Sequence, residues 1–500
     1  MQKNLFNKID ATFPELTNSS QFELVTGMEI HVQLNTEEKL FSSDFAAAGG
    51  EANSHLSIVS LGLPGALPVL NKQVIEKAVR IGLALNCKIQ NFNSFDRKSY
   101  FYADLPKGYQ ITQDENPICV DGYLDVKRAD GIVKRIRINR IHLEEDAGKS
   151  LHDQDSNYSY IDLNRAGVPL IEIVTEPDIR TSEEAGLILS EIRKLIRHLD
   201  VSDGNMEAGN LRCDANISIR PIGQTEYGTR CEVKNLNSIR NLKKAIEFEF
   251  KRQVELNNQN IPVVQSTLNF DPETGETSPM RTKEEANDYR YFPDPDLPPI
   301  FISDEWLNTI KENMPELPSA LINRLHEDYG ISLEDASILV NATETFKFFN
   351  LTLPNVSHPK TLVNFLNGPI RALLSERQIE IDEWLITPNQ LAKIINLVDD
   401  RKITHQSVFQ ELIPALEGTT KDAEQLAMEL SLLVSNDTQV LETLVEQVLT
   451  KYEHQVAAYK KGKKGVLGLF VGEVMKEGKG KFDPVIVNSL IIKKLENEKN

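Results

Sequence analysis

The stretch Gly27-Met28-Glu29-Ile30-His31-Val32-Gln33-Leu34 alternates without a break. Met28, Ile30, Val32 and Leu34 are apolar, and Glu29, His31 and Gln33 lie between them. Side chains of a strand point to opposite faces with period two. As a strand, this segment buries one face and lines up a carboxylate, an imidazole and an amide on the other. A carboxylate two residues from a His on one strand face can bind a divalent cation or do acid–base work. A half-exposed strand with a chance Glu and His has the same pattern, so the segment alone does not decide between the two.

Four later segments shift the balance. Ile141-His142-Leu143-Glu144-Glu145-Asp146-Ala147-Gly148-Lys149-Ser150 places three carboxylates shortly after an imidazole. Val168–Val174 sets Glu172 inside an apolar run, where an unpaired charge is costly. Arg212–Arg220 alternates again, with Asp214, Asn216, Ser218 and Arg220 on one face and Cys213, Ala215, Ile217 and Ile219 behind. Arg230–Asn237 projects Arg230, Glu232 and Lys234 in the same manner. Together they predict one antiparallel sheet whose polar face cradles a charged ligand and its metal. Carboxylates for Mg²⁺, basic groups for phosphate and amides for orientation are the equipment of an ATP-using site.

Five hundred residues are enough for several domains, and 26% charged with 40% hydrophobic residues indicates a soluble globular protein. Residues 1–20 show neither an apolar run nor an Arg-rich amphipathic pattern, so no signal or transit peptide is expected. Nothing approaches the run of about 20 apolar residues that spans a membrane. Cys87, Cys119, Cys213 and Cys231 are scattered, which argues against a zinc ribbon or disulfide framework and fits a reducing cytoplasm. The net charge of −19 excludes a general nucleic-acid coat protein. Yet residues 451–500 hold eleven Lys and only six Asp or Glu, which fits either contact with a polyanion or a solvated terminal helix.

The pattern predicts an α+β chain in three parts: a strand-rich domain over 1–298, a helical domain over 299–425 and a basic helical tail over 426–500. Strands are expected at 24–34, 133–145, 168–175 and 211–220, with helices at 72–85 and 182–198. The prolines of Tyr289–Pro299 block a helix there, and from 303 onward the periodicity is helical almost to the end. Gly148-Lys149-Ser150 imitates the end of a phosphate-binding P-loop, but Leu143 stands where that loop needs Gly. With no G-x-G-x-x-G after a strand either, ATP is expected on a sheet.

These segments, with Leu63–Asn71, Phe95–Tyr102, Asp162–Gly167, Glu232–Ser238, Asp288–Pro295 and Gly468–Leu490, closely resemble the B subunits of the glutamine-dependent aspartyl/glutamyl-tRNA amidotransferases, nearly end to end. The resemblance implies a first domain shaped like the glutamine synthetase catalytic sheet. It implies ATP- and Mg²⁺-dependent phosphorylation of the side-chain carboxylate of Glu-tRNA(Gln) or Asp-tRNA(Asn), then amidation by ammonia. The ammonia comes from the glutaminase (amidase) partner, the A subunit, and a small C subunit completes a cytoplasmic heterotrimer with no membrane association. It implies metal ligation by Glu29, His31 and Glu145, with Glu144, Glu172, Glu207 and Asp214 next. Lys234, Asn235, Asn237 and Ser238 would contact nucleotide or phosphate. Glu145, Arg220 and Lys234 would be catalytic, with Arg230 a further stabiliser of charge. For Arg230 and Asn237, pairing within the sheet is an equal alternative. Lys460, Lys461, Lys463, Lys464, Lys479 and Lys481 would meet tRNA. Some members carry Cys pairs for zinc in the stretch matching Phe41–Ser60. Here Ser42, Ser57 and Ser60 stand there without a Cys, so no zinc is expected. A ligase acting on a free amino acid and a non-catalytic tRNA-binding protein are the alternatives. The basic tail argues against the first and the carboxylate-rich strands against the second.

Overall fold

The computed structural model describes residues 21–46, 49–151, 158–282, 288–434, 438–478 and 482–497. The chain forms two units, Met1–Leu317 and Pro318–Asn500.

In the first unit the strands are β1 (Phe22–Gln33), β2 (Lys88–Ile89), β3 (Phe92–Asn93), β4 (Asp96–Ser99), β5 (Tyr109–Thr112), β6 (Cys119–Lys127), β7 (Val133–Glu145), β8 (Lys149–Leu151), β9 (Tyr160–Asp162), β10 (Pro169–Thr175), β11 (Leu211–Pro221), β12 (Cys231–Leu236), β13 (Ser266–Phe270), β14 (Thr277–Thr282), β15 (Phe292–Pro293) and β16 (Ile300–Phe301). The helices are α1 (Lys72–Ala84), α2 (Ser182–His198), α3 (Ile239–Asn258) and α4 (Asp304–Glu312). Nine strands make one sheet in the order β14-β13-β12-β11-β1-β10-β7-β6-β2. The opening segment is its central strand: Met28, Ile30, Val32 and Leu34 are at most 2% exposed, so the alternation reads as expected.

Two features depart from the expected sheet. It is mixed, because β12 and β13 run parallel. Parallel neighbours need a crossover, and α3 supplies it. That helix lies where none was expected. Its apolar face (Leu242, Ala245, Ile246, Phe250) was legible at helical spacing and packs into the core behind the sheet. Helix α2 is as read, with the Thr181 hydroxyl accepting from the backbone N–H of Glu184 as its N-cap.

The boundary expected at 298 falls short of the structure. Trp306, Leu307 and Ile310 of α4 belong to the first core, and the unit continues to Leu317. In the second unit, one core gathers Phe349, Phe365, Leu391, Ile395 and Leu412, and another gathers Leu441, Val445, Phe470, Val474, Val487 and Ile491. Ala423, Leu426 and Ala427 pack in the former. The tail with its own core therefore begins near 441, not at 426. Within the helical region, the helix that starts at Pro359 is interrupted by a π-helical turn, Leu366–Ile370, because Pro369 has no N–H to continue the ladder.

Candidate functional site

The pleat of four neighbouring strands builds the site. His31 of β1 stands opposite Arg212 of β11 on one side and Glu172 of β10 on the other, and Glu172 in turn faces His142 of β7. Glu29 stands opposite Asp214. Apart from His142, which is buried behind Glu172, these polar groups open onto a cavity of about 570 Å³, lined also by Lys98, Tyr100, Glu144, Arg165, Arg230, Glu232, Lys234, Asn235 and Tyr289.

Two clusters on its floor have metal-ligand character. In the first, His31 Nε2 lies 3.4 Å from Glu172 Oε2 and 3.6 Å from Glu144 Oε1. His142 Nε2 lies 3.3 Å from the same Glu172 oxygen, and its Nδ1 is buried without a partner among the described residues. In the second, Glu29, Asp214 and Glu232 converge. In each cluster the candidate ligand atoms lie within 4.8 Å of one another. The second offers oxygen only, which suits Mg²⁺; the first adds one imidazole to two carboxylates.

The neighbours of each group set its charge. Burial pulls the His31 imidazole down, but Glu172 and Glu144 outweigh it and raise it from 6.5 to about 9. Burial would raise Glu172, yet His142 and His31 hold it well below the usual carboxylate range. Burial and the charge of Glu172 both push Glu29 upward. Lys234 donates to Asp214 at 2.9 Å and lies 2.6 Å from Glu232. Despite burial, that pair of carboxylates leaves its ammonium raised. The second oxygen of Asp214 accepts from the backbone N–H of Asn235 at 3.0 Å, and Asn235 takes a positive φ of 60° to present it.

The structure therefore brings together Glu29, His31, Glu144, Glu172, Asp214, Lys234 and Asn235. It does not bring Glu145 to them. His142 and Glu144 share one face of β7, so period two sends Glu145 to the other. There its carboxylate accepts from the Lys107 ammonium and, at 2.9 Å, from the Ile111 N–H. It lines a separate cavity of about 190 Å³ with Lys39 and Lys107. Glu207 is exposed in the loop before β11 and lies outside the cavity lining. Arg220, near the far end of β11, is held by Glu23 at 2.6 Å and by the Thr225 carbonyl. Ser238 is the N-cap of α3, accepting from Asn241 N–H, and Asn237 Oδ1 accepts from the Asn241 side chain. These two resemble ligand contacts in sequence because a capping signature and a phosphate-binding turn use the same residue types.

His142 and Glu232 are site residues missing from the set expected from sequence, though both stand in the quoted segments, and strand parity would have found them. Lys98, Tyr100 and Tyr289 had no such signal. Asp44 accepts from the hydroxyls of Ser42, Ser57 and Ser60. Lys460, Lys461, Lys463 and Lys464 are exposed; Lys460 closes a helix and the other three follow it. Lys479 and Lys481 lie outside the described residues.

A mixed sheet whose polar face carries two carboxylate clusters, followed in the chain by a helical unit, defines a protein equipped to hold divalent cations beside a charged ligand. Residues 24–308 match the model of the GatB/GatE catalytic domain, and residues 347–495 match that of the GatB domain. A protein of Thermodesulfovibrio yellowstonii, named as the B subunit of aspartyl/glutamyl-tRNA(Asn/Gln) amidotransferase, is 45% identical over 476 residues, covering 95% of this chain and 100% of its own. Proteins of the same name from Rickettsia bellii (45%) and Rickettsia felis (44%) each align over 96% of this chain and 99% of their own. The chain belongs to the family of aspartyl/glutamyl-tRNA(Asn/Gln) amidotransferase B subunits.

Proposed function

We propose that the cavity beside β1 is where the side-chain carboxylate of Glu-tRNA(Gln) or Asp-tRNA(Asn) is phosphorylated by ATP and then amidated. The observation that carries this reading is the convergence of two carboxylate clusters and several cations in one cavity. A carboxylate is a poor acyl donor to ammonia. Its oxygen must attack the γ-phosphorus of ATP, releasing ADP, so that phosphate can later leave the acyl carbon carrying that oxygen.

His31, Glu144 and Glu172 would hold one Mg²⁺, and Glu29, Asp214 and Glu232 another. Held there, the ions would supply positive charge to offset that of the phosphates. Lys234 has two roles in this scheme. It pairs with Asp214 and Glu232 at once, and the third donor of its ammonium would be left for a phosphate. Arg230 has no carboxylate partner among the described residues and extends the same basic wall. Arg212 and Arg165, both close to Asp146, fix the opposite wall. The activated carboxyl must be kept from water. An enclosed route from the glutaminase, the A subunit, is the arrangement this chemistry calls for, with a small C subunit completing the heterotrimer.

Among the described residues no helix is long and apolar enough to cross a membrane; a cytoplasmic site of action fits a tRNA-dependent enzyme. The Phe41–Ser60 stretch supports no role for zinc, since the Asp44–serine cluster offers one carboxylate and hydroxyls but no thiolate. Amidation of charged tRNA by the reconstituted complex, with ammonium chloride replacing glutamine, tests the proposal. ATP-dependent product is expected from wild type and none from Asp214→Asn. Product formation without ATP would overturn the reading.

A further inference from the structure

The cavity has a second, chemically different wall. Tyr100 and Tyr289 line it, and around them four tyrosines form a continuous edge-to-face chain. Ring centroids lie 5.9 Å apart for Tyr102 and Tyr100, 5.8 Å for Tyr100 and Tyr289, and 6.2 Å for Tyr289 and Tyr291. Lys98 Nζ sits 4.8 Å from the Tyr289 ring centroid and 5.8 Å from that of Tyr100. The chain leads outward, since Tyr102 is 57% and Tyr291 43% exposed. Arg290, between two of these tyrosines, is exposed with a φ of 45°, a conformation that costs a bulky residue energy and recurs at ligand sites. Among the described residues neither the Lys98 ammonium nor the Arg290 guanidinium has a carboxylate partner. The two inner rings are half-buried at the cavity and the two outer ones are exposed, so the run leads from cavity to surface with a cation beside each end.

We propose that this tyrosine chain is the platform on which the unpaired 3′-terminal nucleotides of the charged tRNA stack, with Lys98 and Arg290 meeting their phosphates. The inference rests on the function proposed above. The side-chain carboxylate is carried on the terminal ribose, so the terminal base must lie within one aminoacyl length of the metal-binding floor. Tyr100 satisfies this, because its hydroxyl reaches Gln110 at 3.3 Å and Gln110 donates to the Glu145 carbonyl, next to Glu144. The adenine of ATP is the other candidate base. It is disfavoured because one base occupies one ring, whereas four rings running from cavity to surface suit successive bases of a single strand. Lys234 and Arg230, which line the same cavity, are the basic groups assigned above to the triphosphate.

Stacking on an aromatic ring strengthens single-strand binding by roughly tenfold or more per base. Tyr102→Ala and Tyr291→Ala remove exposed rings that no core packing needs. In the full complex, each is expected to raise the KM for charged tRNA about tenfold while the KM for ATP changes less than twofold. Tyr102→Phe and Tyr291→Phe should restore the wild-type values. Trimming the terminal nucleotides from uncharged tRNA should weaken binding to wild type but have little further effect on the alanine variants. An unchanged KM for tRNA, or a rise in the KM for ATP instead, overturns the proposal, the latter in favour of the adenine of ATP. Failure of the wild-type complex to amidate charged tRNA would instead refute the underlying function.

Discussion

Glu172→Gln isolates the electrostatics of the site. Glu172 is flanked by two imidazoles at 3.4 and 3.3 Å, and it is the main reason that the His31 imidazole is raised from 6.5 to about 9. A shift of that size corresponds to about 3 kcal/mol of interaction between the charged forms. Because the folded value lies above the unfolded one, this stabilisation is fully present below pH 6.5 and is lost as pH rises through about 9. The neutral amide keeps the shape but not the charge. Burial still pulls His31 down while only Glu144 and Asp214 continue to raise it, so the imidazole should titrate clearly below its wild-type value of about 9. The assay is an NMR titration of ¹³C-histidine-labelled, metal-free protein, with the His31 resonance assigned from His31→Gln. A divalent cation must displace the His31 proton. Mn²⁺ affinity of the wild type should therefore rise roughly tenfold per pH unit up to about 9. A His31 that titrates near 6.5 in wild type, or that is unmoved by Glu172→Gln, would show that Glu172 does not set its charge.

Three further outcomes are expected. Glu249, fully buried, accepts from Arg252 at 2.8 and 2.6 Å, from Gln253 at 2.8 Å and from Thr277 at 3.2 Å. Glu249→Ala should destabilise the first unit by about 3–5 kcal/mol by removing the carboxylate that faces the buried Arg252 guanidinium, read as a lowered thermal midpoint, with Glu249→Met/Arg252→Met milder than the single change. Burial would raise Asp44, but hydrogen bonds from Ser60 and Ser57 leave it lowered, so its stabilisation is present above the usual carboxylate value and is lost as pH falls through the folded one. Limited proteolysis of the loop around Ser57 should therefore accelerate only in acid for wild type, but already at neutral pH for Asp44→Ala. Changing Lys461, Lys463 and Lys464 together to Glu should raise the KM for charged tRNA and reduce the logarithmic salt slope of tRNA binding by about 2–3, leaving the KM for ATP unchanged; an unaltered slope would make the tail a solvated surface.

The sheet was legible because period two is rigid. Given one buried residue of β1, the facing of every other follows, and Met28 to Leu34 obeyed. The same rule, applied to β7, separates Glu144 from Glu145. The family resemblance pointed at Glu145, while parity points at Glu144 and His142. Helix α3 was not expected although Leu242, Ala245, Ile246 and Phe250 stand at helical spacing, because the residues of its start, Asn235 to Ser238, serve equally as cap and as ligand contacts. The first boundary was misplaced because prolines mark where helix cannot form but not where a core ends. Only packing shows that Ile310 closes the first core. The tyrosine wall was not legible at all. It joins Tyr100 to Tyr289 across 189 positions of chain, and no local periodicity encodes that meeting.

Activation of the carboxylate as an acyl phosphate at the floor of the cavity is written in the fate of its oxygen atoms. Charged tRNA bearing ¹⁸O in the side-chain carboxylate, incubated with the complex, ATP and ammonium, gives the most direct reading. Phosphate analysed by mass spectrometry should carry one ¹⁸O atom per amide formed, and Glu29→Gln should abolish labelled phosphate and amide together. Amide accumulating while the released phosphate stays unlabelled would contradict the account.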